Sequence, residues 1–112
     1  MRVYKILALA EWDRARIAGR FEGSAVDVQD GYIHFSTAAQ AGETARKYFS
    51  GQNDLVVLEV EGDDLGPDLK WEPSRGGDLF PHLYASLAVD AVRQVHEARL
   101  DPNGVPQICV PE

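Results

Sequence analysis

The run Leu55-Val56-Val57-Leu58-Glu59-Val60, bounded by Asn53-Asp54 and Gly62-Asp63, does most to limit the architectures open to this chain. A strand with apolar side chains on both faces belongs in the middle of a sheet that is covered on both sides. The rest of the chain must then supply flanking strands and covering layers. Val3 to Leu9 alternates apolar and polar before turning wholly apolar, which suits a second strand entering a buried sheet. With 112 residues the chain is read as one domain, residues 1–112, large enough to bury a core without staples.

The covering layers come from the first half. Thr37 to Ser50 has the clearest helical pattern: Thr37-Ala38-Ala39-Gln40 is a capping box, and Ala38, Ala41, Ala45, Tyr48 and Phe49 share one face. Glu11 to Ala18 reads as a shorter helix, with Trp12, Ala15 and Ala18 on one stripe and Gly19 to end it. Gly23 to Gly31 is polar and irregular. Between the helices, Tyr32 to Ser36 reads as a strand with Ile33 and Phe35 toward the core and Tyr32, His34 and Ser36 on the other face.

The second half is richer in strands. Leu69-Lys70-Trp71-Glu72 predicts a brief strand halted by Pro73, and His82 to Leu87 alternates with His82, Tyr84 and Ser86 on one face. Val89 to Leu100 has some helical character, but Asp101-Pro102-Asn103-Gly104 is a type I turn signature. A hairpin joining about Val92–Leu100 to Val105–Val110 explains more of the sequence. The expected fold class is α+β: a mixed, largely antiparallel split sheet with two helices in the N-terminal half. The glycine fingerprint and βαβ series of a dinucleotide-binding Rossmann domain are absent from the sequence.

A formal net charge of −7 argues against a non-specific grip on nucleic acid or an anionic membrane. The single cysteine, Cys109, leaves no internal disulfide, fits a reducing cytoplasm and reads as a small core residue. Met1 to Leu9 is too short and polar for a signal core, and no stretch is long enough to span a membrane. A cytoplasmic domain is expected.

Chemistry-bearing side chains concentrate between Leu69 and Leu87, which hold Trp71, Glu72, Arg75, the Gly76-Gly77 pair, Phe80, His82 and Tyr84. Such a stretch can stack on a ring, titrate and grip an anion. Arg75-Gly76-Gly77 suits a phosphate, since glycines let backbone N–H groups approach while Arg pairs with it; a tight turn with Arg75 solvated is the plainer reading. Ser36 and Thr37 stand where a strand enters a capped helix, a place that favours an anion. Ser36 beside His34 also raises nucleophilic catalysis, without the surroundings of a nucleophile elbow. His34, His82 and Glu72 form a two-His-one-carboxylate set with no ligand-spacing motif behind it. An anion grip, a stacking aromatic and a hydrogen-bonding His together are the needs of a nucleotide site.

Four blocks carry a family resemblance: Asp30-Gly31-Tyr32-Ile33-His34-Phe35-Ser36-Thr37, Gly51-Gln52-Asn53-Asp54-Leu55, Leu69-Lys70-Trp71-Glu72, and Gly77-Asp78-Leu79-Phe80-Pro81-His82-Leu83-Tyr84. Through them the chain, from Tyr4 to about Val95, resembles a bacterial family catalogued as domain of unknown function 952. Ala85 stands where family members usually have glycine. The resemblance implies a fold similar to the ADP-ribosyltransferases, with a split sheet and a cleft that holds NAD. Many of those enzymes use a His on an early strand, a Tyr that stacks on nicotinamide, and a later Glu or other polar residue. His34 and Tyr84 match the first two. Glu72 is available as the third but precedes Tyr84, whereas Glu97 comes in the usual order.

The leading expectation is an ADP-ribosyltransferase-like enzyme that binds NAD or an ADP-ribosyl compound as a small-molecule nucleotide partner, with no metal. His34 would hold ribose and amide, Tyr84 would stack on nicotinamide, Arg75 would grip the pyrophosphate, and Glu72 would stabilise developing positive charge, with Ser36, Thr37, Trp71, Gly76, Gly77 and His82 also contacting ligand. The alternatives are a non-catalytic nucleotide-binding module and a small metal-dependent hydrolase.

Overall fold

The structure, a computed structural model, describes residues 1–108 and Val110, with Arg75 described by its backbone alone. In chain order its elements are β1 (Arg2–Ala8), α1 (Leu9–Ala18), β2 (Arg20–Phe21), α2 (Ala25–Asp30), β3 (Ile33–His34), α3 (Ala38–Tyr48), β4 (Leu55–Glu61), β5 (Leu69–Pro73), β6 (Leu79–Leu83), β7 (Leu87–Ala88), β8 (Val92–Leu100) and β9 (Pro106–Gln107). Single-turn 3₁₀ segments join several of the later strands.

The apolar run is β4, and it lies inside a sheet as its composition requires. It pairs with β1 along its whole length, from Arg2↔Glu61 to Ala8↔Leu55. On its other side it pairs with β8, with a bulge at Glu59–Val60, and β9 extends the order to β1-β4-β8-β9. A second sheet has the order β3-β6-β5, and β2 pairs with β7. Among the described residues every pairing is antiparallel, so the sheet is split as expected but not mixed. The two larger sheets meet at one bridge, where Tyr4 and Ser36 exchange both N–H···O bonds at 2.8 Å.

One face of the four-stranded sheet packs Val3, Leu7, Val56, Leu58 and Val60 against Trp12, Phe21, Ile33, Phe35, Leu83 and Leu87. The other face packs Tyr4, Ile6, Leu55, Val57 and Ala98 against Ala45 of α3. Helix α3 forms where the capping box predicts it: Thr37 Oγ1 accepts from the Gln40 N–H at 3.2 Å, and Gln40 Oε1 accepts from the Thr37 N–H at 3.0 Å. Helix α1 starts at Leu9, two residues early, and it buries Trp12 and Ala15 but leaves Ala18 exposed.

Three expectations need correction. Gly23 to Gly31 is not irregular: α2 begins there on a Ser24–Asp27 capping box and ends at Gly31 with φ +90°. The alternating strand at His82–Leu87 lies earlier, as β6, and the chain bends after Leu83. Pro81 accepts from the Phe35 N–H at 3.0 Å but has no N–H to return, so the β3–β6 ladder stops at His34↔His82. The C-terminal hairpin forms around a turn in which Asp101 Oδ1 accepts from the Asn103 and Val105 N–H groups, but its second strand is only Pro106–Gln107. The expectation for Cys109 lies outside the described residues. No helix among the described residues is long and apolar enough to cross a membrane.

Leu58 is 0% exposed at the centre of β4, and Ile17 on α1 is 89% exposed. In urea unfolding, Leu58→Ala should cost about 3–5 kcal/mol, because the enclosing strands prevent collapse of the cavity it leaves. Ile17→Ala should stay within about 0.5 kcal/mol of wild type.

Candidate functional site

The cleft between the split sheets opens at the outer edge of β1, just where the Tyr4–Ser36 bridge ties it to the strand carrying His34. It is a cavity of about 320 Å³, lined among others by Lys5, Tyr32, His34, Ser36, Tyr48 and His82. The β3–β6 register places its two histidines. Paired residues on antiparallel strands project to the same face, so His34↔His82 places both imidazoles side by side.

Asp27 holds His34 in place. Its Oδ1 accepts from the His34 backbone N–H at 3.1 Å and lies 2.6 Å from His34 Nδ1. Its Oδ2 accepts from the Ser24 N–H at 2.8 Å and from Lys5 Nζ at 2.8 Å. Asp27 is 2% exposed and Lys5 4% exposed, so this ion pair is buried. On the other side of the His34 ring, Nε2 lies 3.0 Å from Oδ2 of Asp30, at the exposed end of α2.

Tyr32 joins the two halves of the site. Its ring lies 4.1 Å from that of His82, 4.6 Å from that of His34 and 5.2 Å from that of Tyr84, centroid to centroid. These are stacking and edge-to-face distances. Glu72 Oε1 closes the far side, 2.8 Å from His82 Nδ1 and accepting from the Tyr84 hydroxyl at 2.7 Å. Glu72 stands opposite Phe80, so it reaches His82 as a diagonal cross-strand neighbour.

His34, Glu72, His82 and Tyr84, distant in sequence, are therefore brought together. The other candidates are placed differently. Ser36 lines the cavity, 3.1 Å from the Thr44 hydroxyl. The Thr37 hydroxyl is engaged in capping α3. Trp71 faces away from Glu72, since adjacent residues of β5 project to opposite sides. Gly76 and Gly77, with φ +65° and +87°, sit at the exposed tip of the β5–β6 hairpin, where the Gly77 N–H closes a turn onto the Ser74 carbonyl at 2.8 Å. The Arg75 side chain lies outside the described residues. Glu97 sits on β8, exposed and bound to Arg99, away from the cavity. His96, expected at the surface, is half-buried and 2.9 Å from the buried Glu59.

The family model described as "Protein of unknown function (DUF952)" matches residues 6–95. The chain belongs to the DUF952 family. It is also similar to protein CC0527 from Caulobacter crescentus. The crystal structure of that protein has 58% identity and a TM-score of 0.94, covering 96% of this chain and 94% of the other. Its solution NMR structure gives 58% identity and a TM-score of 0.86, covering 95% of this chain and 91% of the other. No curated protein matches this DUF952 chain.

Two carboxylates of this DUF952 site, Asp27 and Glu72, are held ionised. Burial pushes the Asp27 carboxyl up, but His34, Lys5 and the Ser24 amide outweigh it and hold it at about 2. Hydrogen bonds from Tyr84 and His82 draw Glu72 below the usual carboxylate range, and the same bond pushes the Tyr84 hydroxyl up to about 12. Burial draws Lys5 down against the pull of Asp27. Among the described residues no three His, Cys, Asp or Glu side chains are grouped to hold a metal ion; the carboxylates nearest the histidines are bonded to their ring nitrogens.

Sequence reasoning missed Asp27, Lys5, Asp30 and Tyr32. Asp27 was legible as the acidic partner of the Ser24 capping box, whereas no local pattern marks Lys5 as buried. Lys70 was missed as well; its Nζ lies 5.9 Å from the Tyr84 ring centroid.

Asp27 has a pKa of about 2 when folded against 3.8 in a model peptide, so its contribution is present above about pH 4 and lost as pH falls toward 2. Between pH 5 and pH 2 the wild type should lose about 2 kcal/mol more unfolding free energy than Asp27→Asn, measured by urea denaturation. Equal losses in the two proteins would show that Asp27 carries no such linkage.

Proposed function

We propose that this DUF952 protein binds NAD or an ADP-ribosyl compound in the cleft between its split sheets and acts as an ADP-ribosyltransferase-like enzyme in the cytoplasm. The observation that carries this reading is the meeting of His34, His82, Tyr84 and Glu72 around Tyr32, with Tyr32, His34 and His82 lining the cavity and Glu72 and Tyr84 behind them. Aromatic faces suit a planar ring, and ionised carboxylates suit the positive charge that a nicotinamide ring carries and that ribose develops as its glycosidic bond loosens.

In this reading the exposed ring of Tyr84 stacks on the nicotinamide, with Tyr32 packed edge-to-face against that ring. Glu72 faces the developing oxocarbenium, as an acid that precedes the Tyr in sequence but touches it in space. His34 meets ribose or amide through Nε2, where the ligand displaces the exposed Asp30. Lys70 beside Tyr84, together with Arg75, supplies positive charge for the diphosphate. Gly76 and Gly77 shape the tip of the hairpin that carries Arg75. A non-catalytic nucleotide-binding module shares this geometry and is separated from the enzyme by turnover.

Titration calorimetry and thermal shift test the reading. NAD and ADP-ribose should raise the melting temperature, because a ligand held at a hundredfold excess over Kd adds about 2.7 kcal/mol to the native state. Arg75→Ala and Lys70→Ala should each weaken ADP-ribose by roughly 1.5–3 kcal/mol if their bonds to phosphate are charge-assisted. Tyr84→Ala should weaken NAD more than ADP-ribose. Absence of binding at millimolar ligand would end the nucleotide reading, and binding without nicotinamide release would leave the module.

A further inference from the structure

His82 differs from His34 in one respect that bears on chemistry. It is 3% exposed, lines the cavity, and has a partner on Nδ1 alone. Among the described residues Nε2 has no hydrogen-bond partner. A buried polar atom without a partner is costly, and one that faces a cavity is positioned to meet a ligand.

The partner on Nδ1 fixes the tautomer. Glu72 is held below the usual carboxylate range, so it can only accept, and Nδ1 must carry the proton. In the neutral ring Nε2 then bears the lone pair. Tyr84 donates to the same Oε1 atom and keeps its own proton, which pins Glu72 from the other side. His34 cannot serve in the same way: Asp27 and Asp30 face both of its ring nitrogens, and both contacts are hydrogen bonds only when His34 is an imidazolium.

We infer that Glu72 and His82 form a general-base dyad, in which His82 Nε2 takes the proton from a hydroxyl acceptor, an alcohol or water, bound in the cavity. The inference rests on the nucleotide reading and names the class of acceptor. As the acceptor oxygen bonds to C1′ of ribose, the C1′–N bond breaks and its electron pair leaves on the nicotinamide nitrogen. The acceptor proton passes to Nε2, so the positive charge lost from the pyridinium ring reappears as an imidazolium held by Glu72. A carboxylate acceptor has no proton to lose and needs no such base. A hydroxyl does.

Two measurements test the dyad. In ¹⁵N-histidine-labelled wild-type protein at pH 8, His82 should be the Nδ1–H tautomer, with Nε2 in the unprotonated range and shifting when ADP-ribose is added. For turnover, His82→Gln should lower kcat for nicotinamide release by about 10²–10⁴-fold. Its KM for NAD should stay close to that of wild type, and the acid limb of the pH–rate profile should disappear. Product mass separates the acceptors: water gives free ADP-ribose and an alcohol gives its O-glycoside. An Nε2–H tautomer, an unchanged kcat, or a loss confined to KM would overturn the dyad while leaving nucleotide binding intact. Failure of the wild type to bind NAD or ADP-ribose would overturn both.

Discussion

Lys5 sits on the face of β1 that carries Val3 and Leu7, among apolar neighbours, and its charge there needs a partner. Asp27 supplies it, with both carboxylate oxygens each engaged twice: Oδ1 by the His34 amide and imidazole, Oδ2 by Lys5 and the Ser24 amide. A buried ion pair of this kind adds little net stability compared with a well-packed apolar pair, but removing one partner leaves the other uncompensated and costs several kcal/mol, on the order of 3–5. Its effect is therefore on geometry. It ties α2 to β1 and β3 together and permits one arrangement of the three. Gly23 belongs to the same constraint, since a Cβ there would lie 2.9 Å from the Asp27 Cβ.

From that anchor the site follows. Asp27 sets the His34 backbone and ring, the β3–β6 register sets His82 beside it, and the β5–β6 register brings Glu72 within reach of His82 and Tyr84. His34, His82 and Glu72 are fixed by the backbone of a sheet, whereas Tyr32 and Tyr84 stand in the bends just before β3 and just after β6. The aromatic contacts of Tyr32 complete the packing across the two halves. The proposed site is thus preorganised, its dipoles and charges already held by their partners.

The sequence was legible where one period dominates. β4 declares itself by apolar residues on both faces, α3 by its capping box and alanine face, and the C-terminal hairpin by Asp101-Pro102-Asn103-Gly104. The convergence of His34, Glu72, His82 and Tyr84 follows from strand alternation combined with the family blocks. Helix α2 was hidden because six residues hold less than two turns of periodicity, and two of its apolar residues, Val26 and Val28, point to solvent. Lys5 was hidden because a lysine in an alternating strand reads as an outward residue; only the tertiary position of Asp27 turns it into a buried one. Trp71 was misleading for the opposite reason. Aromatic content suggested a stacking surface, whereas its position on β5 directs it to the far face.

The pairing of each histidine with carboxylates then determines what each can do. Two imidazoles with ring centroids 5.6 Å apart line one cavity, so proximity alone would not distinguish them. Their hydrogen bonds do. The His34 ring is faced by a carboxylate at both nitrogens, Asp27 at Nδ1 and Asp30 at Nε2, so neither nitrogen is open. A ring faced by a carboxylate at one nitrogen keeps a fixed tautomer and an open acceptor at the other. The difference arises from α2, the element that carries Asp27 and Asp30 against His34 and leaves His82 to Glu72 alone, and the proposed base rests on it.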